Sequence, residues 1–226
     1  DSLLVEADLD YTDLWRITCL EPGGRHSYNT SCELVKALEK AKKQGKARFI
    51  GISSHDRRWL EMMVEYFPEI EVILFPYTAR TKVLPGRSQS EPARDYEEVV
   101  GGRLDRDPRD WPSLFDSIKK RDIGVFGIKP FTSNSLFKGT SAPDDPHAVE
   151  DDRRARLALR YILCNPAITA PIPGLINTHQ VDNAARAVKE RRKLDMEEKA
   201  ELDEAMEQAW ANLPDHYQWL KDWEYV

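Results

Sequence analysis

Five apolar runs recur along this chain, and each is followed by a stretch with helical spacing. No other feature limits the possible folds as tightly. The runs are YTDLWRITCL (11–20), ARFIGISS (47–54), EVILFPYT (71–78), IGVFGIKPF (123–131) and AITAPIPG (167–174). They are largely continuous rather than alternating, as strands covered on both faces are. Helical patterns occupy 31–45, 56–68, 111–122, 151–166 and 178–192. In the first, Leu34, Val35, Leu38 and Ala41 fall on one face and Gly45 suits the position just past the end. Asp56 caps the second and Pro68 stops it, Pro112 falls in the first turn of the third, and Asn165-Pro166 ends the fourth.

Strict alternation of buried-type strands with helices predicts a parallel sheet flanked by helices. Two architectures fit, a doubly wound open sheet or part of a (β/α)8 barrel. In either one, ligand groups sit at the C-terminal ends of the strands. Those ends are Thr18-Cys19, Ser53-Ser54-His55, Pro76-Tyr77-Thr78, Lys129-Pro130-Phe131 and Ile172-Pro173-Gly174.

The 226 residues suffice for one sizeable core. Thirty-three Lys and Arg against 39 Asp and Glu give a net charge of −6, which argues against nucleic acid or an anionic membrane surface as main partners. No apolar run approaches the roughly 18 residues of a membrane span. Cys19, Cys32 and Cys164 are widely spaced and form no C-x-x-C pair, as expected of reduced thiols in a cytoplasmic protein. No His, Cys, Asp and Glu spacing suggests a structural metal. The chain opens on Asp1, and SLLVEADLD reads as the end of a helix feeding a strand. The expectation is therefore that an N-terminal portion is missing.

Residues 79–110 are rich in Arg, Asp, Pro and Gly and show no period, a long loop of the kind that is functional or disordered. A second polar loop runs from Thr132 to about Glu150. After the fifth unit comes a charged helix, 195–213, with Leu202, Ala205, Met206 and Ala209 facing inward. Trp210, Tyr217, Trp219, Trp223 and Tyr225 make the tail too aromatic to float free. The expected organisation is a partial barrel over 1–194, with a C-terminal helix and tail, 195–226, packed on it or on a neighbouring chain.

Two segments suggest phosphate binding. Lys129 stands at a strand exit and TSNS follows Pro130-Phe131, offering a cation, hydroxyls and backbone N–H groups. A solvated lysine is the competing reading. In APIPGLINTHQVDN (170–183) a strand passes through Pro173-Gly174 into a helix capped by Asn177 or Thr178, where an anion can be held. Gln180, Asn183 and Arg186 share a face of that helix. A capped surface helix competes here too, and KERRK (189–193) suits a solvated helix end.

At its strand ends the chain resembles the aldo-keto reductases. DYTDLWRI looks like that family's fourth strand, LVKALEKAKKQGKARFIGISS like its fourth helix and fifth strand, and GVFGIKPF like its seventh strand. ALRYILCNPAITAPIPGLINTHQVDNAARAV is similar to its seventh helix, eighth strand and eighth helix. The resemblance implies a (β/α)8 TIM-barrel type of fold. This chain would supply the C-terminal portion, strands 4 to 8, or five of the eight units. The implied activity is reduction of an aldehyde or ketone with NADP or NAD as cofactor, in a protein whose partner is a small-molecule carbonyl substrate. The family's catalytic Asp, Tyr and Lys would lie before Asp1, so the segment alone would be inactive.

The resemblance also implies site residues. Thr18 takes the place of the family's remaining catalytic residue, a His. Its hydroxyl can donate a hydrogen bond but cannot reproduce imidazole acid–base behaviour. His26, in the following loop, is a conceivable substitute, with a surface histidine as the plainer reading. Ser53 matches a residue that holds the nicotinamide carboxamide, Ser54 replaces its Asn neighbour, and Leu74 replaces a Gln. Tyr77 would line the substrate pocket or belong to the core. Gly174, Asn177, Gln180 and Asn183 lie where the family contacts the adenosine half, without its cationic residues. Two other readings stand beside the reductase. One is a barrel-derived binding or regulatory protein without redox chemistry, and the other is an aldolase or isomerase working through Lys129.

Overall fold

Trp15 and Ile17 pack against Leu38, Ala47 and Ile50, and this contact fixes which face of the first strand meets its helix. The structure is a computed structural model that describes residues 2–19, 26–82, 105–107, 110–140, 142 and 144–226. Its elements run α1 (Ser2–Glu6), β1 (Thr12–Cys19), α2 (Tyr28–Lys43), β2 (Ala47–Ser54), α3 (Arg57–Tyr66), β3 (Val72–Pro76), α4 (Leu114–Arg121) and β4 (Gly124–Ile128). A short 3-10 turn (Thr132–Asn134) follows, then α5 (Ala148–Leu163), β5 (Ala170–Ile172), α6 (Thr178–Lys189), α7 (Met196–Ala211) and a 3-10 stretch (Asp215–Trp223). The strands form a five-stranded sheet in the order β1-β2-β3-β4-β5. β1 with β2, β2 with β3 and β4 with β5 pair in parallel. Successive parallel neighbours joined through helices are β/α units of the TIM-barrel type.

Local chemistry sets the boundaries. Ser27, Asp56, Ser113, Asn177 and Asp195 each accept the backbone N–H of the third residue on and so start α2, α3, α4, α6 and α7. Because Ser113 is the cap, Pro112 lies outside α4 rather than in its first turn, a correction to the expectation. Gly45, with φ of 74°, follows α2 in the left-handed region that glycine tolerates best. β2 spans its whole apolar run, and the other four strands are shorter than theirs. Lys129 leaves β4 at positive φ, and Pro130 and Pro173 cannot donate to a ladder. The expected long loop lies mainly outside the described residues.

The chain divides into two compact units. One comprises residues up to Phe75 with the described part of Val83–Val125. Here Trp59, Leu60, Met62 and Met63 of α3 are fully buried, and Phe75 meets Phe115 edge-on at 6.2 Å. The Trp59 indole donates to Ser31 Oγ at 3.2 Å. The Arg121 guanidinium donates to the Val64, Phe67 and Ile70 carbonyls and so satisfies the C-terminal end of α3. Gly51 is required by a close approach, since a Cβ there would lie 2.4 Å from the Val72 carbonyl oxygen.

The other unit comprises Pro76–Lys82 and Phe126–Tyr225. Its core gathers Phe131, Leu136, Leu157, Leu159, Met206 and Leu220 with their neighbours. Leu202, Ala205, Met206 and Ala209 of α7 are buried, as their spacing predicts. The aromatic tail packs in the same unit, with Tyr217 and Trp219 against the core and Leu220 wholly buried. The polar loop before α5 is organised by two carboxylates. Asp145 accepts N–H groups of Thr140 and His147, and Asp151 those of Lys138 and Gly139. All three cysteines are free. Among the described residues no helix is long and apolar enough to cross a membrane.

Candidate functional site

In the first unit the register of the sheet brings Thr18, Ser53 and Leu74 into one row. Thr18 pairs with Ser53, and Ser53 with Leu74. Alternation along β1 puts Leu14, Arg16 and Thr18 on the face opposite Trp15 and Ile17, which pack toward α2. Thr18 is exposed and Ser53 is 5% exposed. Ser53 Oγ has no hydrogen-bond partner among the described residues. Ser54 points the other way, is fully buried, and its Oγ accepts the Asp56 N–H at 2.9 Å. Of the two serines, Ser53 is thus the one set in the row with Thr18, and Ser54 shapes the turn into α3.

His26 packs edge-on against Trp59 at 5.8 Å. Cys19, beside Thr18, is buried, and burial pushes its thiol up to about 11, which makes it a core residue rather than a nucleophile. The residue that sequence reasoning passed over is Arg16. Its Nη1 donates to Thr18 Oγ1 at 3.1 Å. The signal was available in the i, i+2 spacing of Arg16 and Thr18 on a strand.

In the second unit Lys129 is half-buried, and its Nζ lies 4.9 Å from the centroid of the Tyr217 ring. Lys129, Thr132, Ser133 and Asn134 all have positive φ, from 54° to 71°. Non-glycine residues in this region carry backbone strain, and such strain gathers at ligand sites. Ser133 Oγ is buried and has no hydrogen-bond partner among the described residues. A cation and an orphaned hydroxyl thus belong to one turn of unusual backbone, formed by Lys129 and the TSNS segment that the sequence singled out.

The other expected residues of this unit have internal partners. Tyr77 is 3% exposed and its hydroxyl accepts from Asn165 Nδ2 at 2.7 Å. Burial pushes its phenol up to about 12, so the core reading describes it better than the pocket one. Asn177 caps α6, and Gln180 Oε1 accepts the Ile176 N–H at 2.9 Å. Asn183 is 4% exposed. It accepts from Arg156 Nη1 at 2.6 Å and donates to the Asp152 carbonyl at 2.9 Å, joining α6 to α5. Gly174 is exposed, and a Cβ there would meet nothing within 4 Å. The corner from β5 to α6 is therefore a firmly capped helix start whose polar side chains serve the cap and the neighbouring helix.

The chain is 24% identical over 213 residues to L-galactose dehydrogenase of Arabidopsis thaliana, an alignment covering 88% of this chain and 59% of that enzyme. In structure it is similar to the aldo-keto reductase AKR11C1 of Bacillus halodurans in its apo form. The TM-score is 0.57 at 21% identity, over 90% of this chain and 65% of the other. It is also similar to the thermostable aldo-keto reductase Tm1743, with a TM-score of 0.53 at 20% identity, over 89% of this chain and 62% of the other. The chain thus spans about three-fifths of the length of these relatives, and the structural likenesses carry the fold alone. The model of the aldo/keto reductase family matches residues 2–156. Because the match begins at Ser2, it lends no support to the finer placement at the family's C-terminal portion. It covers β1 to β4 and their helices, the turn after Lys129 included, and on it the chain belongs to the aldo/keto reductase family.

Proposed function

We propose that the protein carrying this chain is an oxidoreductase that reduces an aldehyde or ketone with a nicotinamide dinucleotide. The observation that carries the reading is the turn after β4. The half-buried Lys129 ammonium and the orphaned Ser133 Oγ meet the demands of a pyrophosphate, which needs a cation and hydrogen-bond donors. When bound, the dinucleotide would supply the hydride for the carbonyl carbon, and the proton for the carbonyl oxygen would come from water or from a donor other than Thr18.

The remaining roles follow the resemblance to the family. Ser53 offers the carboxamide a hydroxyl that has no partner among the described residues. Thr18 orients the carbonyl through its hydroxyl and does not itself exchange a proton near neutral pH. At the β5–α6 corner Gly174 leaves room for the adenosine half, and Asn177, Gln180 and Asn183 hold the shape of the corner. No cation of this set stands ready for a 2′-phosphate, so the reading favours a dinucleotide in general over NADP in particular.

The test is a titration of the protein with NADPH and NADH, followed by nucleotide fluorescence, with Lys129→Met alongside. Sub-millimolar binding that Lys129→Met weakens supports the reading. Binding without turnover of any carbonyl would favour the non-catalytic alternative, to which Thr18 and Leu74, in place of the family's His and Gln, already lend weight.

A further inference from the structure

We propose that Arg16 binds the substrate and selects carbonyl compounds that carry a carboxylate. This rests on the reading above, in which Thr18 meets the reacting carbonyl.

Arg16 shares a face of β1 with Thr18, and the two are joined by the 3.1 Å hydrogen bond from Nη1 to Oγ1. The long side chain therefore brings a fixed positive charge up to the C-terminal end of β1, where a parallel sheet presents ligand groups. The register sets Gly51 and Ser53 of β2 beside Arg16 and Thr18. Gly51 has no side chain to crowd the guanidinium, and Ser53 adds a second hydroxyl.

Arg48 shows what an ordinary surface arginine does on these same two strands. It reaches across to Asp13 and pairs with it at 2.6 Å. Asp13 belongs to the opposite set of β1 side chains, with Trp15 and Ile17, and is out of line with Arg16. Arg16 has no acidic partner among the described residues, and its one hydrogen bond is to a neutral hydroxyl.

An arginine so placed keeps several N–H donors for a ligand. Its planar fork matches a carboxylate in two parallel hydrogen bonds, which a point charge does not do as well. By accepting from Arg16, Thr18 Oγ1 also turns its own proton outward and becomes the stronger donor toward a carbonyl oxygen. Charge for the carboxylate and a polarised hydroxyl for the carbonyl then lie side by side. That spacing fits an oxo acid whose two groups are close together.

The test compares benzoylformate with its methyl ester, which present the same ketone with and without the charge. Equilibrium binding of each would be measured by ligand-observed NMR to the protein, to Arg16→Met and to Arg16→Lys, with and without NADPH or NADH. The expected result is tighter binding of the acid than of the ester by roughly 10- to 100-fold, the usual effect of a charged hydrogen-bonded pair. Arg16→Met should remove that preference. Arg16→Lys, which keeps charge but loses the fork, should retain part of it and guards against a variant that fails to fold. Equal affinity for acid and ester, or a preference unchanged in Arg16→Met, would overturn the proposal. An Arg16-dependent preference for the acid without dinucleotide binding would uphold this proposal and strike only the reductase reading.

Discussion

The ammonium of Lys129 rests 4.9 Å from the centre of the Tyr217 ring, so the aromatic tail holds the one cation of the β4 turn in place. The tail is itself pinned. Arg80 pairs with Glu224 at 3.1 Å, and the Lys82 N–H donates to the Glu224 carbonyl at 2.7 Å. A lysine stem fixed before binding loses less freedom when a phosphate arrives. Tyr217→Leu is therefore expected to weaken dinucleotide binding by about threefold to tenfold, the range of an exposed to partly buried cation–π contact. Tyr217→Phe should keep most of the affinity. Titration of both variants checks this, and no loss in the leucine variant would mean that the contact does not prepare the lysine.

Glu198 is gripped on both sides. Arg160 donates to its two oxygens at 2.8 Å each, and Arg192 does the same. The Arg192 in KERRK, read from sequence as part of a solvated face, is thus an ion-pair partner. Hydrogen bonds from Arg160, then those from Arg192, hold the Glu198 carboxyl well below the usual carboxylate range. Arg160 and Glu198 are 3% and 7% exposed, so Glu198→Gln leaves a buried guanidinium poorly paired and should cost on the order of 3 kcal/mol. The sign of the pH effect follows from the depressed pKa. The stabilisation is complete above the unfolded value of about 4.3 and is lost as pH falls through the folded value. Denaturant melts at pH 7 and pH 3 should show a smaller penalty for Glu198→Gln at the lower pH.

Two glycines should respond in opposite ways. A Cβ at Gly51 would sit 2.4 Å from the Val72 carbonyl and 3.2 Å from Leu14 Cδ1, so Gly51→Ala forces β2 from β3 and should cost about 2 kcal/mol or more. Gly174 has open space around it. Gly174→Lys should leave the melting temperature nearly unchanged while adding a cation at the adenosine end. NADPH should then gain over NADH by roughly fivefold to tenfold, as expected for a new charged hydrogen bond. Thermal melts and paired titrations read both effects.

The order of strands and helices was legible because buried parallel strands and amphipathic helices leave different periods, and caps such as Asp56 mark the joins. β2 runs over Ala47–Ser54, the whole span of its apolar run. Strand ends were less legible, since the left-handed turn at Lys129 depends on backbone dihedrals that residue type does not fix. Site residues were the hardest. Asn183 and Gln180 read as ligand-facing from their helix positions. Only three-dimensional neighbours reveal that Asn183 bridges to Arg156 and Asp152 and that Gln180 closes the turn at Ile176. Arg16 was hidden for the converse reason, being set among apolar residues in a strand read as continuous.

In the proposed function, Lys129 and the turn after it hold the pyrophosphate of a nicotinamide dinucleotide. Fluorescence titration with NADPH and NADH, on the protein and on Lys129→Met, tests it most directly. Sub-millimolar binding of at least one nucleotide is expected, with a loss of about tenfold or more in the variant, the usual effect of removing a charged contact. Failure of both nucleotides to bind below about 1 mM, or binding indifferent to Lys129→Met, would contradict it.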